Sequence, residues 1–115
     1  FERWAEGERA RLARAHSVAL ESLATAASAR RDWPGAVTWW RRLAATDPLS
    51  SRYTAGLMRA LAAVGDRAAA LRLAAVHAAL VRQELDAVPD PAVLALEAQL
   101  RAGAGLGDDA GRPAA

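Results

Sequence analysis

At 115 residues with 53% hydrophobic content, the chain has room for one domain with a continuous core and does not resemble a disordered sequence. The absence of cysteine excludes disulfides, thiolate chemistry and Cys-based zinc sites, and no apolar run approaches the roughly 20 residues of a membrane-spanning helix. Its 15 positive residues, all arginine, are interleaved with 13 acidic ones, so the net charge of +2 comes without the basic stripe that marks a nucleic-acid face.

Residues 2–30 contain no proline and only Gly7, and Trp4, Leu12, Ala15, Ala19, Leu23 and Ala27 fall mostly at three- and four-residue steps. This spacing predicts one long amphipathic helix, its first half dressed with the charge pairs Glu6–Arg9 and Glu8–Arg11. Arg31-Asp32-Trp33-Pro34-Gly35 breaks the pattern, and a second helix is expected from about Gly35 to Thr46 with Ala36, Val37, Trp40, Leu43 and Ala44 inward. Asp47-Pro48 ends it, because proline drives the preceding residue out of the α region.

A third helix follows from about Leu49 to Val64, with Ser50 or Ser51 as cap, Tyr53, Leu57, Met58 and Leu61 on one face, and Gly65 as a left-handed stop. Asp66 can cap the fourth, expected over Arg67–Leu85 with Leu71, Ala74, Ala78, Val81 and Leu85 inward. Asp90-Pro91 opens a short fifth helix carrying Val93, Leu94, Leu96 and Leu100 and ending near Gly103. The Gly, Ala, Asp and Pro of 103–115 predict a flexible tail.

Laid over itself at an offset of 34 residues, the chain superposes Asp32 on Asp66, Ala36 on Ala70, Val37 on Leu71 and Leu23 on Leu57. That period belongs to the tetratricopeptide class, so the expected fold is all-α: a right-handed helical repeat of about five helices in antiparallel pairs. Leu20, Leu23, Ala36, Trp40 and Pro48 suit the class pattern in the first unit, while in the second Ala74 and Arg82 replace the aromatic and the proline. The alanines at 36 and 70 are expected where paired helices approach closely.

A closer resemblance rests on an ordered set of motifs. Phe1-Glu2-Arg3-Trp4 through Glu8-Arg9, then Asp47-Pro48-Leu49, Leu57-Met58-Arg59-Ala60-Leu61, Gly65-Asp66-Arg67, Ala70-Leu71 and Gln83-Glu84-Leu85 through Pro89-Asp90-Pro91 resemble the bacterial transcriptional activator domain over residues 1–102. The resemblance implies a helical domain that follows a winged helix-turn-helix in regulators of the antibiotic-regulatory type. Phe1 then stands about where the DNA-binding part would end, and a further segment upstream of it is expected. Asp86 departs from the family pattern, standing where glycine is usual.

No phosphate-binding, nucleophile-elbow or zinc-protease string is present, and no enzyme is expected. His16 and His77 lack ligand spacing and read as packed or solvated, and Glu84 with Asp86 and Asp108 with Asp109 read as solvated carboxylates. Trp39 and Trp40 point about 100° apart on a helix, so with Trp40 in the core Trp39 either packs on the first helix or anchors another domain or a second copy. In the repeat class the first helix of each unit lines the concave side, where Glu21, Thr25, Arg52 and Arg59 project. The two arginines there could grip an acidic segment.

The function expected is that of a protein-interaction and effector domain of a bacterial transcriptional regulator; the alternative is a tetratricopeptide scaffold unrelated to transcription. Expected partners are another protein or an adjacent domain of the same chain, a homodimer included. DNA is reached only through the missing upstream part. No cofactor and no membrane contact are expected, and the location is cytoplasmic.

Overall fold

The short links and helical periods yield five helices among the described residues: α1 (Glu2–Ala29), α2 (Trp33–Thr46), α3 (Ser51–Ala63), α4 (Arg67–Leu85) and α5 (Pro91–Gly111). The computed structural model describes the backbone over residues 1–111 and the side chains over residues 1–103, with no strand among them. Each helix packs on the next, α1 on α2, α2 on α3 and α3 on α4, and α5 closes over both α3 and α4. This is the all-α, tetratricopeptide-like arrangement the period predicts.

The repeat extends to the turns. After α1, Arg31 adopts a left-handed φ of 60°, Arg31 N–H donates to Ser28 O and Asp32 N–H donates back to Ala27 O. After α3, Gly65 at φ 90° makes the same bond to Ala62 O, and Asp66 N–H the same bond to Leu61 O. Each turn then hands over to an aspartate cap: Asp32 Oδ1 accepts from Gly35 N–H at 3.1 Å and Asp66 Oδ1 from Ala69 N–H at 3.1 Å. Such a cap contributes about 1 kcal/mol. Ser50 is the cap of α3, its Oγ accepting from Tyr53 N–H at 3.2 Å. Asp86, at φ 47° and ψ 46°, takes the left-handed conformation a glycine would supply, so the departure from the family pattern leaves this turn's backbone in the same region.

Burial also repeats. Leu20, Ala24, Ala27, Ala36, Trp40 and Leu43 are buried, and so are the residues one offset later: Thr54, Met58, Leu61, Ala70, Ala74 and His77. Ala36 and Ala70 are wholly enclosed. The two units interlock through Trp40, whose indole lies against Gly56 of α3, donates from Nε1 to Ser28 Oγ at 3.0 Å and sits 6.4 Å from the Tyr53 ring. Where the first unit has Leu20 and Leu43, the second has a polar pair. His77 Nδ1 lies 3.0 Å from the Pro48 carbonyl and 3.2 Å from Thr54 Oγ1. A carbonyl only accepts, so Nδ1 carries the proton, and Nε2 is left buried without a partner.

Several expectations need correction. Leu23 does not share the burial of Leu57: α3 has α2, α4 and α5 around it, whereas α1 packs mainly on α2, and Leu23 stays 46% exposed. Trp4, Leu12, Ala15 and Ala19, read with Leu23 and Ala27 as the apolar stripe of α1, are exposed too, and of that set only Ala27 is buried. The face that α1 buries is Leu20, Ala24 and Ala27. Leu85 is exposed because α4, at 19 residues, outruns the 13 residues of α3 that cover it. The fifth helix does not stop near Gly103 but runs to Gly111. A helix already anchored by packing propagates without a new nucleation cost, and each glycine in it opposes that by only about 1 kcal/mol. The tail expected over 103–115 is thus helical as far as Gly111; residues 112–115 lie outside the described residues.

Candidate functional site

The alternation of helices puts α1, α3 and α5 on one face, and a group of charged residues from α1 and α3 lies there. Glu21 and Arg52, 31 positions apart, meet across α1 and α3 in a two-pronged pair: Arg52 Nε lies 2.6 Å from Glu21 Oε1, and Nη2 donates to Oε2 at 3.0 Å. The Arg52 guanidinium also sits 5.5 Å from the Tyr53 ring centroid, which limits its freedom to swing away.

This pair is the shared wall of three adjoining depressions. Glu21 borders one of about 450 Å³ with Val18, Ser22, Thr25 and Ala26 along α1. Glu21 and Arg52 together border a second of about 500 Å³, completed by Arg14, Val18, Asp47 and Tyr53. Arg52 then borders a third of about 350 Å³ with Ser51, Ala55, Arg59, Asp90 and Ala92, where α3 meets the start of α5. The result is one continuous track across the face, its arginines 14, 52 and 59 set among the carboxylates of Glu21, Asp47 and Asp90.

Four of the five residues expected to contact partners, Glu21, Thr25, Arg52 and Arg59, therefore line this track. Trp39 does not. It lies on α2, half-buried against the core, with the Arg42 guanidinium 5.8 Å from its ring centroid. Arg14, Asp47 and Asp90 also line the track, although they were not singled out by sequence; Asp47 stands five residues before Arg52 across the α2–α3 turn, whereas Arg14 and Asp90 share depressions with Arg52 only through the fold. His77 was read as packed or solvated and is packed. The repeat offset carries the signal, since His77 falls on Leu43.

Among the described residues no group of three or more His, Asp or Glu side chains could hold a metal, and no described helix is long and apolar enough to cross a membrane. His16, Glu84 and Asp86 are exposed, and the side chains of Asp108 and Asp109 lie outside the described ones. Away from the track, hydrogen bonding to Glu8 holds the Arg11 guanidinium above its ordinary pKa, with a slight opposing effect of desolvation.

The track is thus a set of adjoining depressions that α1, α3 and the start of α5 frame. Residues 1–101 match the family model of the bacterial transcriptional activator domain, a regulatory family. No curated protein and no solved structure matches the chain. With the repeat, the turn motifs and this match in agreement, the chain belongs to the bacterial transcriptional activator domain family.

Proposed function

We propose that this chain is the interaction and effector domain of a bacterial transcriptional regulator, acting in the cytoplasm by protein contact and without a cofactor or catalysis. The observation that carries the reading is the Glu21–Arg52 pair at the junction of three depressions. An exposed ion pair of this kind contributes only about 0–1 kcal/mol, so an incoming carboxylate can take Arg52 from Glu21 at little cost. Arg59 lies two helical turns further along α3, about 10 Å away, which suits a segment with two acidic side chains.

The occupant is an acidic segment of another protein or of an adjacent domain in the same regulator, and Trp39 offers a second contact on α2. DNA affinity comes from a winged-helix part upstream, and the effector domain ends near residue 102. The test uses the full-length regulator carrying Arg52→Glu and Arg59→Glu. Promoter DNA binding in a mobility-shift assay should stay within about twofold while transcription from a reporter falls by at least fivefold. Unchanged reporter output would overturn the track's role, and a full-length protein with no winged helix would move the domain to the scaffold reading.

A further inference from the structure

Between α2 and α4, beside Thr54 of α3, lies a hollow of about 60 Å³. Ala44, Leu73, Val76 and Leu80 give it aliphatic walls. The rest of its lining is Pro48, Thr54 and His77, the three residues whose polar groups meet at His77 Nδ1. One buried water takes roughly 10–15 Å³ by this measure, so the space suits a body of several non-hydrogen atoms.

The repeat shows what is different about this place. One offset earlier, Leu73 corresponds to Trp39, His77 to Leu43 and Thr54 to Leu20. Trp39 and Leu73 are both half-buried against the core, so where the first unit seats an indole the second has the smaller isobutyl group. The same offset exchanges polarity. The buried leucine pair of the first unit gives way to His77 and Thr54, so lost ring volume and gained hydrogen-bonding groups fall on one spot.

His77 is 2% exposed, and its Nδ1–H is committed to the Pro48 carbonyl. Nε2 is therefore a buried acceptor without a donor. A buried acceptor left unpaired is costly, and an occupant of the hollow that His77 borders can relieve that cost.

We propose that this hollow binds a small aromatic molecule carrying a single O–H or N–H donor, of the phenol class. Its ring takes the place in the second unit that Trp39 takes in the first, and its donor bonds to His77 Nε2. A carboxylate does not suit this position, because it only accepts and Nε2 carries no proton. The hollow shares no lining residue with the α1–α3–α5 track, so one occupant need not displace the other.

The test is a phenol titration of the 115-residue chain with isotopically labelled histidine nitrogens, followed by magnetic resonance. The other imidazole, His16, is exposed and serves as the internal control. A saturable shift of His77 Nε2 is expected, with His16 unmoved. Toluene, which has the ring without the donor, should bind about tenfold more weakly. Leu73→Trp, which seats an indole as the first unit does, should abolish phenol binding while the circular dichroism stays helical. His77→Leu combined with Thr54→Leu should remove the preference for phenol over toluene in ligand-observed saturation transfer. Three results would each overturn the proposal: no saturable change at His77 below the phenol concentration that unfolds the chain, equal binding of phenol and toluene to the parent, or a folded Leu73→Trp protein that binds phenol as the parent does. So would an Nε2 bonded to a lone water that phenol does not displace.

Discussion

Gly56 lies in the middle of α3, where exchange for alanine ordinarily stabilises a helix by about 1 kcal/mol. Here the opposite is expected. A Cβ at this position would stand 2.5 Å from Trp40 Cδ2, 2.7 Å from Cε2 and 2.8 Å from Cε3. Ordinary carbon contact begins about 1 Å further out. The indole has little room to yield, because it is held by its hydrogen bond to Ser28, flanked by Tyr53 and enclosed to within 7% of its surface. Overpacking costs about 1–3 kcal/mol, and loosening the Ser28 bond adds about 1. After subtracting the helix-propensity gain, Gly56→Ala should destabilise the domain by about 1–3 kcal/mol.

Urea titration followed by tryptophan fluorescence and circular dichroism measures this directly. Thermal melts should agree, with the midpoint falling by roughly 4–8 °C per kcal/mol for a domain near this size. The decisive comparison is a double-mutant cycle with Trp40→Leu. Once the indole is gone, Gly56→Ala should become neutral or stabilising. A Gly56→Ala protein at least as stable as the parent, or a loss that is the same with and without the indole, would refute the close approach on which this argument rests.

Arg31 and Gly65 occupy the same left-handed position in the two units, so Arg31→Gly should stabilise by about 0.5 kcal/mol and Gly65→Ala should destabilise by about 1 kcal/mol, both read from urea midpoints. His77→Leu should cost about 1–3 kcal/mol by stranding the Thr54 hydroxyl and the Pro48 carbonyl. Adding Thr54→Leu, which restores the pair Leu20 and Leu43 make in the first unit, should recover part of that loss in the same titration. A double variant as unstable as the sum of its parts would show that the two residues act separately.

Much of the fold was legible because local signals and burial point the same way. Asp32, Ser50 and Asp66 are capping residue types set just before apolar helical runs, and each does cap. The 34-residue offset identified Ala36 and Ala70 as close-contact positions from their size alone. What sequence periodicity misjudged was which apolar stripe of α1 is covered. Trp4, Leu12, Ala15, Ala19 and Leu23 form a helical pattern as regular as that of Leu20, Ala24 and Ala27, and periodicity records that a face is apolar without recording whether a neighbour lies against it. Only the position of α1 at the end of the stack decides the matter. Arg31 illustrates a second gap: the turn after α1 needs a left-handed residue just as the turn after α3 does, but the arginine gives no compositional sign of it. The offset from Gly65 would have.

The site was legible only in part, for a reason that separates it from the core. Buried positions are constrained by volume and polarity, so they recur from unit to unit, and even the unexpected His77 falls where a buried residue belongs. Surface charges carry no such constraint. Arg52 was expected to project from the concave side where it could grip an acidic segment, but its surroundings depend on where α1 crosses α3, and the crossing brings Glu21 within 2.6 Å. Any acidic partner must then compete with a carboxylate already in place. On the proposed reading, recognition on this face would be an exchange of ion pairs, sensitive to salt because every participant stays hydrated, with selectivity set by how well a partner also fills the depressions beside Thr25 and Arg59.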